Sequence, residues 1–226
     1  MTEETPTPEA AAASETPPTP MTTILLVRHG QTPTTGKVLP GRAPNLHLAE
    51  TGREQAKRVA ERLAPLPVTA LYCSPLERTL ETAAPIADAF SLVPIQDEGL
   101  IECDFGEWTG EELSRLYTLP EWSTVQRAPS TFRFPGGESF PEMQHRIVSA
   151  IDRIRTVHQG ETVVCVSHAD PIKAVVAYAL GTPLDLFQRI VVSPCSVSVL
   201  AFAPGQAPVV LTVNSVGGTL SDLKPS

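Results

Sequence analysis

Apolar runs of strand length alternate along this chain with stretches whose apolar residues recur at helical spacing, and that alternation restricts the fold more than any other feature. TILLVRHG (23–30) reads as a buried strand, and TGREQAKRVAERLA (51–64) as an amphipathic helix opened by the capping box Thr51-x-x-Glu54. TALYCS (69–74) is a second strand. Ser74-Pro75-Leu76-Glu77 then joins an N-cap, a proline at the first helical position and a reaching Glu, which predicts a helix to about Phe90. Ser139-x-x-Glu142 opens a long helix to about His158, ETVVCVSH (161–168) is a strand, and Asp170-Pro171 caps a helix that ends at Gly181. SVSVLAF (196–202) and VVLTVN (209–214) complete the sheet as a hairpin around Pro204-Gly205. The expected fold is α/β: a three-layer α/β/α sandwich with a mostly parallel sheet, in which ligands sit outside the carboxyl ends of the strands.

A chain of 226 residues, 42% hydrophobic, suits one such domain. Its 17 basic and 25 acidic residues leave a formal charge of −8, so nonspecific binding of nucleic acid or an anionic membrane is not expected, and any anion must meet a local basic pocket. Residues 1–20 hold four of the Glu and no Lys or Arg. Rich in Pro, Thr and Ala without an apolar face, they read as a disordered tail ahead of a domain over 21–216, with a flexible end over 217–226. Met21 offers a second initiator. The tail lacks the basic and apolar regions of a signal peptide and no later run has the length of a membrane helix, so a cytoplasmic protein is expected. Cys73, Cys103, Cys165 and Cys195 are widely spaced without metal-site patterning and read as reduced structural thiols.

Two strands end in a histidine. LLVRHG delivers Arg28 and His29, VVCVSHAD delivers His168, and Arg78 falls in the first turn after the strand LYCS. Singly, each is more simply a structural histidine or a solvated arginine, and Asp170 is explained by helix capping. Brought to one sheet edge, Arg28, Arg78, His29 and His168 form the cationic, hydrogen-bonding cluster that suits a phosphate dianion. GQTPTTGKV (30–38) imitates a nucleotide-phosphate loop, but five residues separate Gly30 from Gly36-Lys37 where four are required, and Val38 replaces Ser or Thr.

LVRHGQT, SPLERTLETA, ECDFGEWTG, FPGGES and VSHAD, in this order across residues 22–214, resemble the signatures of the histidine phosphatase superfamily, whose fold is phosphoglycerate mutase-like. DLFQRIVVSPCSVSVL (185–200) is similar to a bacterial group of phosphomutases or phosphatases of undefined substrate. The resemblance implies His29 as nucleophile, Arg28, Arg78 and His168 as phosphate ligands, and Glu102 as proton donor. It also implies contacts to the phosphoryl group or substrate from Thr32, Thr35 and Ala169, with no cofactor and no metal. Two positions depart from the pattern: Thr35 stands where Asn is common, and Ala169-Asp170 where Gly-Gly is common, placing a carboxylate at the pocket edge that disfavours strongly anionic leaving groups.

The implied activity is a metal-independent phosphomonoesterase acting on a small phosphorylated metabolite. A phosphoglycerate-type mutase and a noncatalytic phospho-ligand or protein-binding module are the alternatives. A mutase needs extra cations, and EELSRLYTLPEW (111–122) holds one Arg and no Lys. Arg127 and Arg133 are lone loop charges. Leu116, Tyr117, Trp122, Phe132 and Phe134 fall in the variable segment expected to overhang the pocket, although each of them, like Trp108, is by itself as well explained as local core. Dimers are common in the superfamily, so a homodimer is one compatible assembly.

Overall fold

The computed structural model describes residues 21–218. Six strands, β1 (Thr22–Arg28), β2 (Val68–Cys73), β3 (Ile95–Gln96), β4 (Thr162–Ser167), β5 (Val197–Phe202) and β6 (Val209–Ser215), form one sheet in the order β3-β2-β4-β1-β5-β6. The first four in that order are parallel, and β5 and β6 run antiparallel at one edge. The two-residue edge strand β3 has no counterpart in the sequence reading, because two residues carry no periodicity.

Alternation along the strands divides the core. Ile24 and Leu26 of β1 and Val163 and Cys165 of β4 face one side, with helices α5 (Phe140–Val157) and α6 (Ala169–Ala179); Leu25, Val27, Val164 and Val166 face the other, with α1 (Glu50–Leu63) and α2 (Glu77–Phe90). Burial on both faces is why these strands are apolar at successive positions. Between β3 and α5 the chain makes only short turns of helix, including α3 (Leu113–Leu116) and α4 (Trp122–Arg127). Their rings join a chain of aromatic contacts in which Phe134 meets Phe105, Trp108, Phe132 and Phe140 at 4.8–5.5 Å between centroids. Leu116, Phe132 and Phe134 are therefore core, whereas Tyr117 and Trp122 lie nearer the surface.

The capping expectations divide. Ser139 and Glu142 form the full capping box at the start of α5, as its sequence predicts. Thr51 does not cap α1: the helix starts a residue earlier, at Glu50, where the Ala49 N–H donates to the Gln31 carbonyl at 2.9 Å. Ser74 does not cap α2, whose cap position is Leu76, because its hydroxyl is engaged by His168. Asp170 lies inside α6, with His168 at the cap position, and pairs with Lys173 at 3.1 Å. The β5–β6 hairpin turns through Gly205 at φ 72°, and Gly181 follows α6 at φ 64°.

The expected tail over 1–20 lies outside the described residues, as does 219–226; at 217–218 Arg62 of α1 donates to the carbonyls of both glycines. Among the described residues no helix is long and apolar enough to cross a membrane.

Candidate active site

The parallel register brings the strand ends together. Arg28 pairs with Ser167 across β1 and β4, and the ladder continues past both strands: the His29 N–H donates to the Ser167 carbonyl at 2.9 Å, and the Ser74 N–H to that of Val166 at 3.0 Å. His29, Ser74 and His168 thus share one edge of the sheet, with the two imidazole centroids 5.2 Å apart. The turn after His29 requires glycine: a Cβ on Gly30 would sit 2.6 Å from the Gly52 carbonyl oxygen, and one on Gly52 2.1 Å from that of Gln31. The N-terminus of α1 crosses the loop at that point. Thr82 of α2 fastens the same loop, accepting the Gly30 N–H at 3.0 Å and donating to the Arg78 carbonyl at 2.7 Å.

His29 is buried, and its Nδ1 lies 2.7 Å from the Gly30 carbonyl. A carbonyl only accepts, so Nδ1 carries the proton and the lone pair is on Nε2. Burial, then the charges of Arg78 and Arg28, hold the imidazole well below its ordinary pKa and therefore neutral. The same causes keep His168 neutral. Ser74 Oγ lies 2.7 Å from His168 Nε2, and a serine hydroxyl can either donate to that nitrogen or accept from it.

Seven buried side-chain N and O atoms among the described residues lack a hydrogen-bond partner, and four belong to this cluster: Arg28 Nε, Arg78 Nε and Nη1, and His168 Nδ1. Unpaired buried polar atoms are costly and uncommon, and here four are gathered on three residues. The remaining valences of the arginines position them. Arg28 Nη1 donates to the Val192 carbonyl and Arg78 Nη2 to that of Gly41, each at 2.7 Å. Arg78 is fully buried.

Glu102 is buried on the loop before Cys103, and its Oε1 accepts the Cys103 N–H at 2.9 Å. Burial first, then the negative charge of Asp170, raise its pKa to about 7, against the opposing pull of Arg78 and Arg28. Residues distant in sequence secure this loop. Arg146 of α5 donates to the carbonyls of Gly99, Ile101 and Glu102 and pairs with Glu138, and Arg42 donates to the Glu102 carbonyl while pairing with Glu138 at 2.9 Å. Ser167 Oγ ties β4 to the Leu100 carbonyl at 2.7 Å.

Arg28, His29, Arg78 and His168 are thus brought to one locality, as their strand-end placement in the sequence implies, and Glu102, marked in the sequence by the family resemblance alone, lies within reach of the charges of both arginines. Ala169 opens α6, ahead of the first intrahelical bond from the Ile172 N–H to the His168 carbonyl. Thr35 differs: its hydroxyl accepts the Thr32 N–H at 2.8 Å and bonds the Thr32 hydroxyl at 3.0 Å, so it serves the loop itself. Arg133 is engaged by Glu142 and the Gly137 carbonyl, and Arg115 by Glu111. Sequence reasoning gives Ser74 only a capping role and does not single out Thr82, Arg42, Glu138 or Arg146, because the partners that tie these residues to the site lie 8 to 94 residues away; Asp170 is read as a helix cap and as a carboxylate at the pocket edge, but not as a neighbour of Glu102.

Comparison with known proteins places this arrangement. A profile described as the histidine phosphatase superfamily (branch 1) matches residues 24–215. The chain belongs to that superfamily. It is 35% identical over 173 residues to phosphoserine phosphatase 1 of Hydrogenobacter thermophilus, covering 74% of this chain and 80% of that protein. It is 33% identical over 220 residues to a bifunctional protein of Mycobacterium tuberculosis, covering 93% of this chain but only 60% of that longer protein. Among solved structures, YhfR of Bacillus stearothermophilus matches with a TM-score of 0.80 at 30% identity, over 87% of this chain and 98% of that one.

Proposed function

We propose that the chain is a metal-independent phosphomonoesterase that cleaves a small phosphorylated metabolite through a phosphohistidine on His29. The observation that carries this reading is the set of buried, unpartnered nitrogens on Arg28, Arg78 and His168 beside a histidine whose Nε2 is unprotonated. The arginine N–H groups donate to the peripheral oxygens of a phosphoryl group, as does His168 in the tautomer protonated on Nδ1, and the two guanidinium charges offset the charge that develops there. The N–H of Ala169, at the start of α6, adds a further donor. Thr32 and Thr35 shape the loop that follows the nucleophile.

In the first step His29 Nε2 attacks phosphorus in line, the P–N bond forms and the P–O bond to the alcohol breaks. Glu102, protonated in a large fraction of molecules near pH 7, gives its proton to the departing oxygen. In the second step the Glu102 carboxylate takes a proton from water, the water oxygen attacks phosphorus, and the P–N bond breaks. Orthophosphate leaves, and His29 and the protonated Glu102 are restored.

The test is phosphate release from a panel of monoesters in EDTA by the native protein and by His29→Ala. Native activity should survive chelation, and His29→Ala should lose at least about a thousandfold in kcat. An acid-labile, base-stable phosphoryl label should form on His29 and be absent from the variant. Activity that persists in His29→Ala defeats the mechanism, and interconversion of phosphoglycerates without net phosphate release identifies a mutase.

A further inference from the structure

A cavity of about 190 Å³, walled by both aromatic or aliphatic and polar side chains, includes Asp170, whose charge acts on Glu102 and Arg28. Three of its walls continue directly from residues already placed: Phe105 follows Glu102 by three positions, Leu39 precedes by two the Gly41 whose carbonyl holds Arg78, and Asp170 follows His168 by two. The fourth wall is the segment between β3 and α5, which contributes Leu113, Tyr117, Trp122 and Val125. Tyr117 and Trp122 contact each other at 5.0 Å between ring centroids, and Tyr117 is 58% exposed, so these rings stand at the rim. Neither this cavity nor the larger one, about 680 Å³ between α5, α6 and β5, is lined by the clustered residues themselves, and only the smaller of the two includes Asp170.

The charged part of the smaller cavity is already balanced. Lys173 Nζ lies 3.1 Å from Asp170 Oδ1 and 3.1 Å from Gln188 Oε1, which commits two of its three N–H groups and pairs its charge. A carboxylate or second phosphate entering here would compete with Asp170 for Lys173, lose water against aromatic walls and face the Asp170 carboxylate. An uncharged group meets none of these costs and can use the remaining Lys173 N–H as one hydrogen-bond donor. Size is limiting as well. A cavity of about 150 Å³ holds benzene, so this one accommodates a single six-membered ring with a short substituent, and a nucleoside is too large.

We propose that this cavity is the subsite for the alcohol half of the substrate, and that it selects phosphomonoesters of compact, uncharged, aromatic or apolar alcohols over those bearing a carboxylate or a second phosphate. This deepens the phosphatase reading and rests on it for the position of the phosphoryl group.

Two arms test it. In the binding arm, His29→Ala protein is titrated calorimetrically with benzylphosphonate and with methylphosphonate. Benzylphosphonate should bind about tenfold more tightly, and the margin should collapse when Trp122→Ala is added. Tyr117→Ala, at an exposed rim position that the fold tolerates, should reduce the margin about threefold. In the kinetic arm, benzyl phosphate, glycerol 1-phosphate, phosphoserine and 3-phosphoglycerate are compared; all four release alkoxides, so leaving-group activation does not separate them. The benzyl ester should lead in kcat/KM by about tenfold, and Trp122→Ala should lower it selectively. Equal affinities for the two phosphonates, a preference for 3-phosphoglycerate or phosphoserine, or an equal loss on all esters in Trp122→Ala overturns the subsite. His29-dependent hydrolysis without benzyl preference defeats the subsite alone. Turnover surviving His29→Ala defeats the phosphohistidine reading, and the binding arm still decides the subsite.

Discussion

The Glu102 carboxyl lies between opposing influences, Asp170 on one side and two arginines on the other. Burial and the Asp170 charge push the Glu102 carboxyl up, Arg78, Arg28 and the Cys103 N–H pull it down, and the balance lies at about 7. A group raised in this way is protonated below that pH and loses its proton above it, so the rate on alkyl phosphates should fall as pH rises through about 7. Replacing Asp170 with Asn removes the like charge and frees Lys173, both of which favour the ionised Glu102. The alkaline limb of kcat/KM should therefore move to lower pH, and an unmoved or raised limb would show that Asp170 does not act on Glu102. Glu102→Gln should slow alkyl esters far more than p-nitrophenyl phosphate, whose leaving group needs little protonation; equal losses on both would remove Glu102 as the acid. His29, Arg28, Arg78, His168 and Glu102 are legible in the sequence because each sits beside a strand end or within a motif. The influence of Asp170 on Glu102 is not: the sequence marks Asp170 as a helix cap and a pocket-edge carboxylate, but not which distant carboxyl it faces.

At the scale of single elements, local grammar succeeds where nothing else competes for the same side chain. Ser139 has no distant partner, and its capping box forms as its spacing predicts. Thr51 carries the same pattern, yet the loop after His29 sets the start of α1 through Gln31. Ser139→Ala should accordingly cost about 1 kcal/mol and Thr51→Ala little, a contrast readable in urea midpoints; equal costs would contradict the assignment. Gly52→Ala should be worse than either, because its Cβ would meet the Gln31 carbonyl oxygen at 2.1 Å. Overpacking of this kind costs about 1–3 kcal/mol or more, and displacement of the His29 loop should lower kcat as well. The two glycines in contact, Gly30 and Gly52, stand 22 residues apart, and neither alone signals that the other faces it.

For the molecule as a whole, the doubly covered sheet buries all four cysteines in the reduced state expected from their spacing. Burial raises the thiols, Cys73 to about 11 and Cys195 to about 12, with Cys103 and Cys165 pushed up as well. At pH 8 they should resist Ellman's reagent in the native protein and react together across the urea unfolding transition. A thiol that reacts at once without denaturant would show local opening near its strand or loop.

The layered α/β architecture, the five longer strands and the principal helices follow from the sequence alone, because alternation, helical periodicity and turn residues act over a few positions and survive in any tertiary context. His29 and its loop, Arg28, Arg78, His168 and Glu102 are marked as candidate site residues by ordered motifs along the chain. What only the folded structure decided is which of those local preferences prevail and what surrounds them. It sets the order of the strands in the sheet and the claim of His168 on Ser74. It also decides the hold of Arg146 and Glu138 on the Glu102 loop, and the closing of the cavity beside Asp170 by Trp122 and Tyr117. Each is a contact between residues distant in sequence, fixed by close packing around a shared core rather than by any property of the residue itself.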